Sequence, residues 1–499
     1  MPEEVPMLPR QQPYQPPMPQ GQPTVVDVPT ISAAPAPMEV KVAHRWRNMP
    51  QTTATVVGSI IFISGGLNMA QGVGWNLDFM MGDQFNISWF IAVIAATLVS
   101  LPLLRITTMK MIMGFASLLI LIGGILFISG PEEYNTVLTG RYLNGIAIGL
   151  IIVPFIKNAS EIADVAHRGT CLGMEQFSMS LGIAIQMNYP FIGITSYDFP
   201  ANRLHGILDL ICAFLAAALL VTIVESPIEQ IRKDNNSAAL KTIASLRSPP
   251  LCPNEFETLL EQHKTYVKEE EQLTLLASFR RATTPLLKLL LVRSMLVVFC
   301  CSITLNMGMM HNSFRMDYTW APLGMVICRV LGGVIAICMV DNVNRKFASI
   351  LPVAVIGCLL IVLGYNSPRG KHEPYNKDME DYVDETMYDN TNDERWLPYY
   401  LYMCLQLFTG FFVPYTSVYL GEAFPLRIKP ILIALIVTME QLLHIIFIET
   451  LDVIIGNTLI IQGIISVVVF FLCVAMIPET RNTTLSEAQK RFRTLITFR

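Results

Sequence analysis

The residues in this sequence best placed to do chemistry are charges set where an apolar chain should not have them. Arg329 stands in the middle of an apolar run at about 319–340, and Glu440 in the middle of another at about 429–450, with His444 one helical turn on. A charge at the centre of a bilayer costs about 2.5–3.5 kcal/mol, so each needs water, a partner or a solute. Two uses are open. Arg329 and Glu440 pair with each other as structure, or both face a common cavity with His444 and hold a solute. A second set of charges brackets the runs. Arg141 enters one, and Glu161 and Arg168 follow it; Glu422 and Arg427 follow another in the same order. Ion pairs among such groups can form and break as helices move. No nucleophile–base pair, phosphate-binding loop or metal-ligand cluster occurs, so the chain is expected to be no enzyme and to need no cofactor or metal.

The elements that position these groups are membrane helices. The chain has 499 residues, 52% hydrophobic and 15% charged, with a mean hydropathy of +0.47. A soluble protein of this size would carry about a quarter charged residues. Apolar runs long enough to cross a bilayer as helix fall at about 52–72, 87–104, 110–130, 136–156, 170–195 and 205–225. After some sixty polar residues they resume at about 286–310, 319–340, 347–365, 397–421, 429–450 and 455–477. The expected organisation is a polar tail (1–50), a six-helix bundle (51–225), a helical linker (226–285), a second six-helix bundle (286–477) and a short tail (478–499). Within the linker, 237–247 and 254–270 repeat apolar residues at helical spacing and read as amphipathic helices. The ten cysteines fall in the runs or, for Cys252, in the linker, with no metal-binding spacing, and read as buried thiols.

Lysine and arginine sit mainly before the first run, in the even-numbered connections, in the linker and after the last run, which places both termini in the cytosol. The connection at about 366–395 is strongly acidic and is expected outside. Asn86-Ile87-Ser88, in the first external connection, is a glycan acceptor pattern. Pro13-Tyr14-Gln15-Pro16-Pro17-Met18-Pro19 has the form of a polyproline II ligand for an SH3-type partner, although a disordered leader explains it as well.

Several motifs recur in order at the run ends. Gly140-Arg141 opens the fourth run; Glu161 and Arg168-Gly169 close it. Glu225-Ser226-Pro227 follows the sixth, and Asp341-Asn342-Val343-Asn344-Arg345-Lys346 the eighth. Glu422-Ala423-Phe424-Pro425-Leu426-Arg427 follows the tenth, and Pro478-Glu479-Thr480 the twelfth. In order and placement they resemble the signatures of the sugar porter family of the major facilitator superfamily, most like insect facilitated sugar or trehalose transporters. The resemblance implies an all-helical fold of twelve transmembrane helices in two six-helix bundles, with a cytosolic helical linker, in the plasma membrane. It implies transport of a sugar by alternating access, with Arg141, Glu161, Arg168, Glu225, Arg345, Glu422 and Arg427 as gate residues.

It also implies a solute site. Gln176 stands where the family keeps a sugar-binding glutamine, eight residues after the Arg of Arg-Gly. Asn68, in Gly66-Leu67-Asn68, stands where proton-coupled members usually place an acid, and its neutrality favours facilitated transport. The family's glutamine-rich seventh helix is replaced by a stretch whose only amides are Asn306 and Asn312. With Arg329, Glu440 and His444 these residues are the candidate solute contacts. The departures keep two alternatives open: a transporter of a charged organic solute, and a non-transporting sensor on a transporter scaffold.

Overall fold

The computed structural model describes residues 49–75, 82–193, 199–246, 253–316, 320–367, 392–450 and 455–496. The Pro13–Pro19 stretch and residues 368–391 of the acidic connection lie outside them. Among the described residues regular structure is helical throughout. Six helices build a first half: α1 (Val56–Gly72), α2 (Asp83–Ile106), α3 (Met109–Ser129), α4 (Tyr134–Ile162), α5 (Arg168–Gly193) and α6 (Ala201–Ala218). Three linker helices follow: α7 (Pro227–Arg232), α8 (Asn236–Ser245) and α9 (Pro253–Glu271). The second half contains α10 (Leu275–Met295), α11 (Ile303–Arg315), α12 (Ala321–Met339), α13 (Arg345–Asn366), α14 (Asn392–Glu422), α15 (Lys429–Glu449) and α16 (Ile455–Met476), and α17 (Leu485–Arg493) ends the chain.

Ten stretches among the described residues are helical, long and apolar enough to cross a membrane, α10 and α11 counting as one. The apolar α1, at 17 residues, is slightly short, and α5 carries enough polar residues to fall below that measure; both pack inside the bundle. With them the twelve crossings are complete. The seventh is not one continuous rod. α10 starts at Leu275, passes through a π turn at Leu296–Cys300 and stops; the Ser302 hydroxyl then accepts the Leu305 N–H and starts α11. Leu98, Phe115, Phe214, Val468 and Phe471 point outward, a surface that hydrocarbon accepts and water does not.

The two halves repeat one packing plan. α2 crosses α4 where Gly145 meets the Trp89 carbonyl, and α12 crosses α14 at Gly332 and Gly410. α3 crosses α6 at Gly124 and Gly206, and α13 crosses α16 at Gly357 and Gly463. Without a hydrophobic driving force between helices in lipid, such close crossings supply van der Waals contact instead. The halves meet through α5 against α12 and α14, and through α2 against α15. The linker helices gather their apolar faces (Ile228, Ile231, Ile243, Leu260, Val267) over Leu426. They thus cover the end of the bundle that carries Arg168.

Candidate functional site

At the Arg168 end, α5 begins with amide N–H groups that its own helix cannot satisfy. Asp341, just after α12, takes two of them: the Gly169 N–H at 3.0 Å and the Thr170 N–H at 2.8 Å, with the Thr170 hydroxyl also at 2.8 Å. Arg345 holds Asp341 at 2.7 Å and chelates Glu422 at 2.8 and 3.0 Å. Arg168 donates to the Thr483 carbonyl at 2.9 Å and lies 3.8 Å from Glu422. Lys429, at the start of α15, donates to the Ser160 hydroxyl on α4. Residues of both halves are thereby tied in one buried cluster. Glu161 is buried beside it, yet neither carboxylate oxygen has a hydrogen-bond partner among the described residues.

The other expected gate residues stand elsewhere. Arg427 is exposed and donates to the Leu273 carbonyl at 2.7 Å, holding the end of the linker. Glu225 is half-buried and enters none of these contacts. Arg141 is fully buried near the opposite end of α4, about 30 Å from Glu161 at 1.5 Å per residue. It donates to the Asn68 carbonyl at 2.7 Å and the Gln71 side chain at 3.1 Å, and its guanidinium lies over Phe85. Asn86, in the first turn of α2, is only 8% exposed.

Midway along the helices the halves are joined by a second charged group. Arg293 on α10 is wholly buried and sits between Glu175 of α5, at 3.3 Å, and Glu440 of α15, at 3.2 Å. Ser417 of α14 donates to Glu175 and lies 3.4 Å from Arg293. The Gln176 amide donates back to Glu175 at 2.9 Å. Glu440 is therefore the partner of Arg293, not of Arg329. Arg329 is held by neutral groups: the Ser180 hydroxyl at 2.8 Å, the Gln406 carbonyl at 2.7 Å and the Cys301 sulfur at 3.6 Å. His444 stacks on Phe90 across the halves, ring centres 4.8 Å apart. Asn306 accepts from the Trp75 indole at 3.0 Å, another contact between halves, and Asn312 is buried with its side-chain carbonyl unbonded among the described residues.

A third group lies inside the first half. Asp209 of α6 accepts from Ser64 at 2.7 Å and Asn68 at 3.3 Å, with His205 at 3.4 Å. The other nitrogen of His205 meets the Tyr189 hydroxyl at 2.7 Å, and the Gln186 amide runs on to the Trp75 carbonyl at 2.7 Å. Sequence reading missed Glu175, Arg293, His205 and Asp209. The signal that marked Arg329 was present at two of them: a charge beside aliphatic residues inside a span, Ile207-Leu208-Asp209-Leu210-Ile211 and Leu291-Val292-Arg293.

Outside the membrane-spanning segments, Glu229 of α7 binds Lys157 at 2.6 Å. Its burial pushes the carboxyl up, but Lys157, Arg232 and Lys233 together hold it below the usual carboxylate range. Glu270 of α9 goes the other way: burial raises it, against the opposing bond from the Leu426 N–H at 3.0 Å.

The model of the family described as sugar (and other) transporter matches residues 85–492. The chain belongs to this family. The transporter has no match among curated proteins. Its fold is that of the proton:xylose symporter XylE solved with 6-bromo-6-deoxy-D-glucose, at a TM-score of 0.67 and 15% identity over 90% of this chain and 99% of that one. XylE from E. coli in a partially occluded inward open conformation gives 0.62 at 16% identity, over 88% and 100%. The transporter is accordingly a multi-pass membrane protein of the major facilitator fold and no enzyme.

Proposed function

We propose that the transporter moves a sugar-class solute across the plasma membrane by alternating access, with both termini in the cytosol. The observation that carries this reading is the cluster of Arg168, Asp341, Arg345 and Glu422, which ties the α5 start to the second half at one end of the bundle. Such ties need supply only a few kcal/mol to set which end is open, because a ligand shifts a two-state equilibrium by its differential affinity alone. Glu161 and Lys429 act with them as gate residues, and parting of the halves at this end releases solute to the cytosol. The solute lies at mid-height between the halves, near Gln176, Arg293, Glu440 and Arg329.

A second reading keeps the fold and changes the cargo to a charged organic solute. It is favoured by the centre itself: Gln176 is bonded to Glu175, and two arginines and two carboxylates stand where hydroxyl-binding amides would be expected. Facilitated transport is supported by the neutral Asn68, although Asp209 puts a carboxylate within 3.3 Å of it. Flux of labelled hexose, trehalose and organic ions into liposomes, with and without a pH gradient, tests all three points. Saturable sugar flux independent of the gradient is expected. Flux of organic ions alone overturns the sugar assignment. Labelling of the 366–395 connection only after cells are permeabilised overturns the orientation.

A further inference from the structure

A cavity of about 850 Å³ opens at the Arg168 end, between the α4–α5 turn, the linker helices and the start of α17. That volume falls within the range of about 300–1,000 Å³ common to small-molecule sites. Its inner wall is apolar, from Ile162, Ile228, Ile243 and Leu485 among others. Its charge leans negative: five carboxylates line it against one arginine and His263, although Glu261 also binds Lys264 at 2.8 Å. That arginine, Arg168, is already committed to the Thr483 carbonyl. Glu257, Glu261 and Glu269 stand at the mouth along α9, the first two one turn apart on the same face. Set into the wall is Glu161, 4% exposed, with neither oxygen hydrogen-bonded among the described residues. Lys157 and Lys429 stand near enough to act on it but donate to Glu229 and Ser160 instead, so its oxygens still lack a donor that a ligand in the cavity could supply. A metal ion does not fit, because no three candidate ligands converge among the described residues.

We propose that this cavity binds an amphipathic organic cation, an ammonium or amidinium on an apolar body. The cationic group meets Glu161 and the α9 carboxylates, and the body lies on the aliphatic wall. The walls belong to the α4–α5 turn of one half and to the segment following the last helix of the other. A bound cation therefore adds to the ties that keep this end shut and acts as a brake at the gate, away from the mid-height solute site. The braking role rests on the gate reading above, whereas binding of the cation does not.

The test uses the full chain in lipid nanodiscs, with benzamidine as the probe and benzamide as its uncharged counterpart. Melting temperature and saturation-transfer NMR report binding, since a ligand of the folded state raises stability by mass action. Benzamidine is expected to give a saturable upward shift, with benzamide at least about tenfold weaker, as expected for a charge-assisted contact. Glu161→Gln should weaken benzamidine by about tenfold or more. Glu257→Gln with Glu269→Gln, both at the exposed mouth and remote from the core, should weaken it by about two- to fivefold per charge. Equal binding of the two probes overturns the proposal. So does the absence of a saturable shift up to about 20 mM. So does unchanged affinity in the mouth double variant, which decides the matter if Glu161→Gln fails to fold.

Discussion

Replacing Arg293 with methionine removes the guanidinium that two carboxylates share. Glu175 and Glu440 are then left in a site where both are buried and, among the described residues, neither has a second cation within 4 Å. Breaking a buried pair from one side costs about 3–5 kcal/mol, because the stranded charge keeps its desolvation penalty. For domains of 150–250 residues 1 kcal/mol moves melting by about 2–4 °C; for a chain twice that size about 1–2 °C is expected, so Arg293→Met should lower melting by about 3–10 °C. Glu440→Gln should cost less, about 1–3 kcal/mol, since Arg293 keeps Glu175. The triple variant Arg293→Met, Glu175→Gln, Glu440→Gln leaves no charge behind, and Gln at 175 can still meet Ser417 and Gln176; it should melt close to the parent. Fluorescence-detected size-exclusion over a temperature series reads all three. The reasoning fails if Arg293→Met melts within about 1 °C of the parent, or if the triple variant is no better than the single. Arg329→Met supplies the contrast: its partners are neutral, so its loss strands no carboxylate and should leave melting unchanged or slightly raised. A fall of several degrees there would contradict that assignment.

Asp209→Asn keeps the bonds from Ser64 and Asn68 but removes the charge facing His205, and should lower melting by the equivalent of about 1–3 kcal/mol; a melting temperature above the parent's would show the carboxylate to be a liability. A Cβ at Gly66 would run into the Met179 carbonyl, so Gly66→Ala must push α1 from α5 at about 1–3 kcal/mol, read as lost monodisperse yield, whereas normal yield would mean the crossing is slack. Glu229 is held below its ordinary value, so its contribution is present above about pH 4.3 and is lost as pH falls through the lower value in the folded chain. Proteolysis of the linker should therefore rise in that acid window, and Glu229→Gln should show the raised rate already at neutral pH. A rate that does not change with acid would separate α7 from Lys157.

The fold was legible because its signal is repeated: long apolar runs, a polar break and paired motifs all say the same thing. The two linker helices, 237–247 and 254–270 by periodicity, form as Asn236–Ser245 and Pro253–Glu271. The seventh crossing was less legible. Its start runs back to Leu275 through Arg280 and Arg281, which hydropathy reads as linker, and its break at Cys301-Ser302 rests on a single side-chain cap. Pairing was the least legible part. Arg329 and Glu440 were visible as intramembrane charges, but which cation meets Glu440 depends on how α10, α5 and α15 are rotated about their axes. No spacing along the sequence encodes that. Arg141 shows the same limit: a charge at a run end reads as a gate, yet its contacts tie α4 to α1 and α2 within one half.

The contact between Asp341 and the start of α5 is asymmetric in what the genome can edit. One side is a carboxylate; the other is mostly peptide N–H, which every residue but proline supplies, with the Thr170 hydroxyl the one side chain in it. Exchanging the charges of the two partners, the usual way to prove a gate, has no meaning here, because an amide cannot be turned into an acceptor for a cation. Drift at this contact cannot be repaired by a matching change across the interface. What the contact restricts instead is bulk: a side chain at Gly169 would run into the Asp341 carboxylate oxygen. Searches for covarying positions would accordingly pass over this tie, even though it joins the two halves as directly as the ion pairs around it.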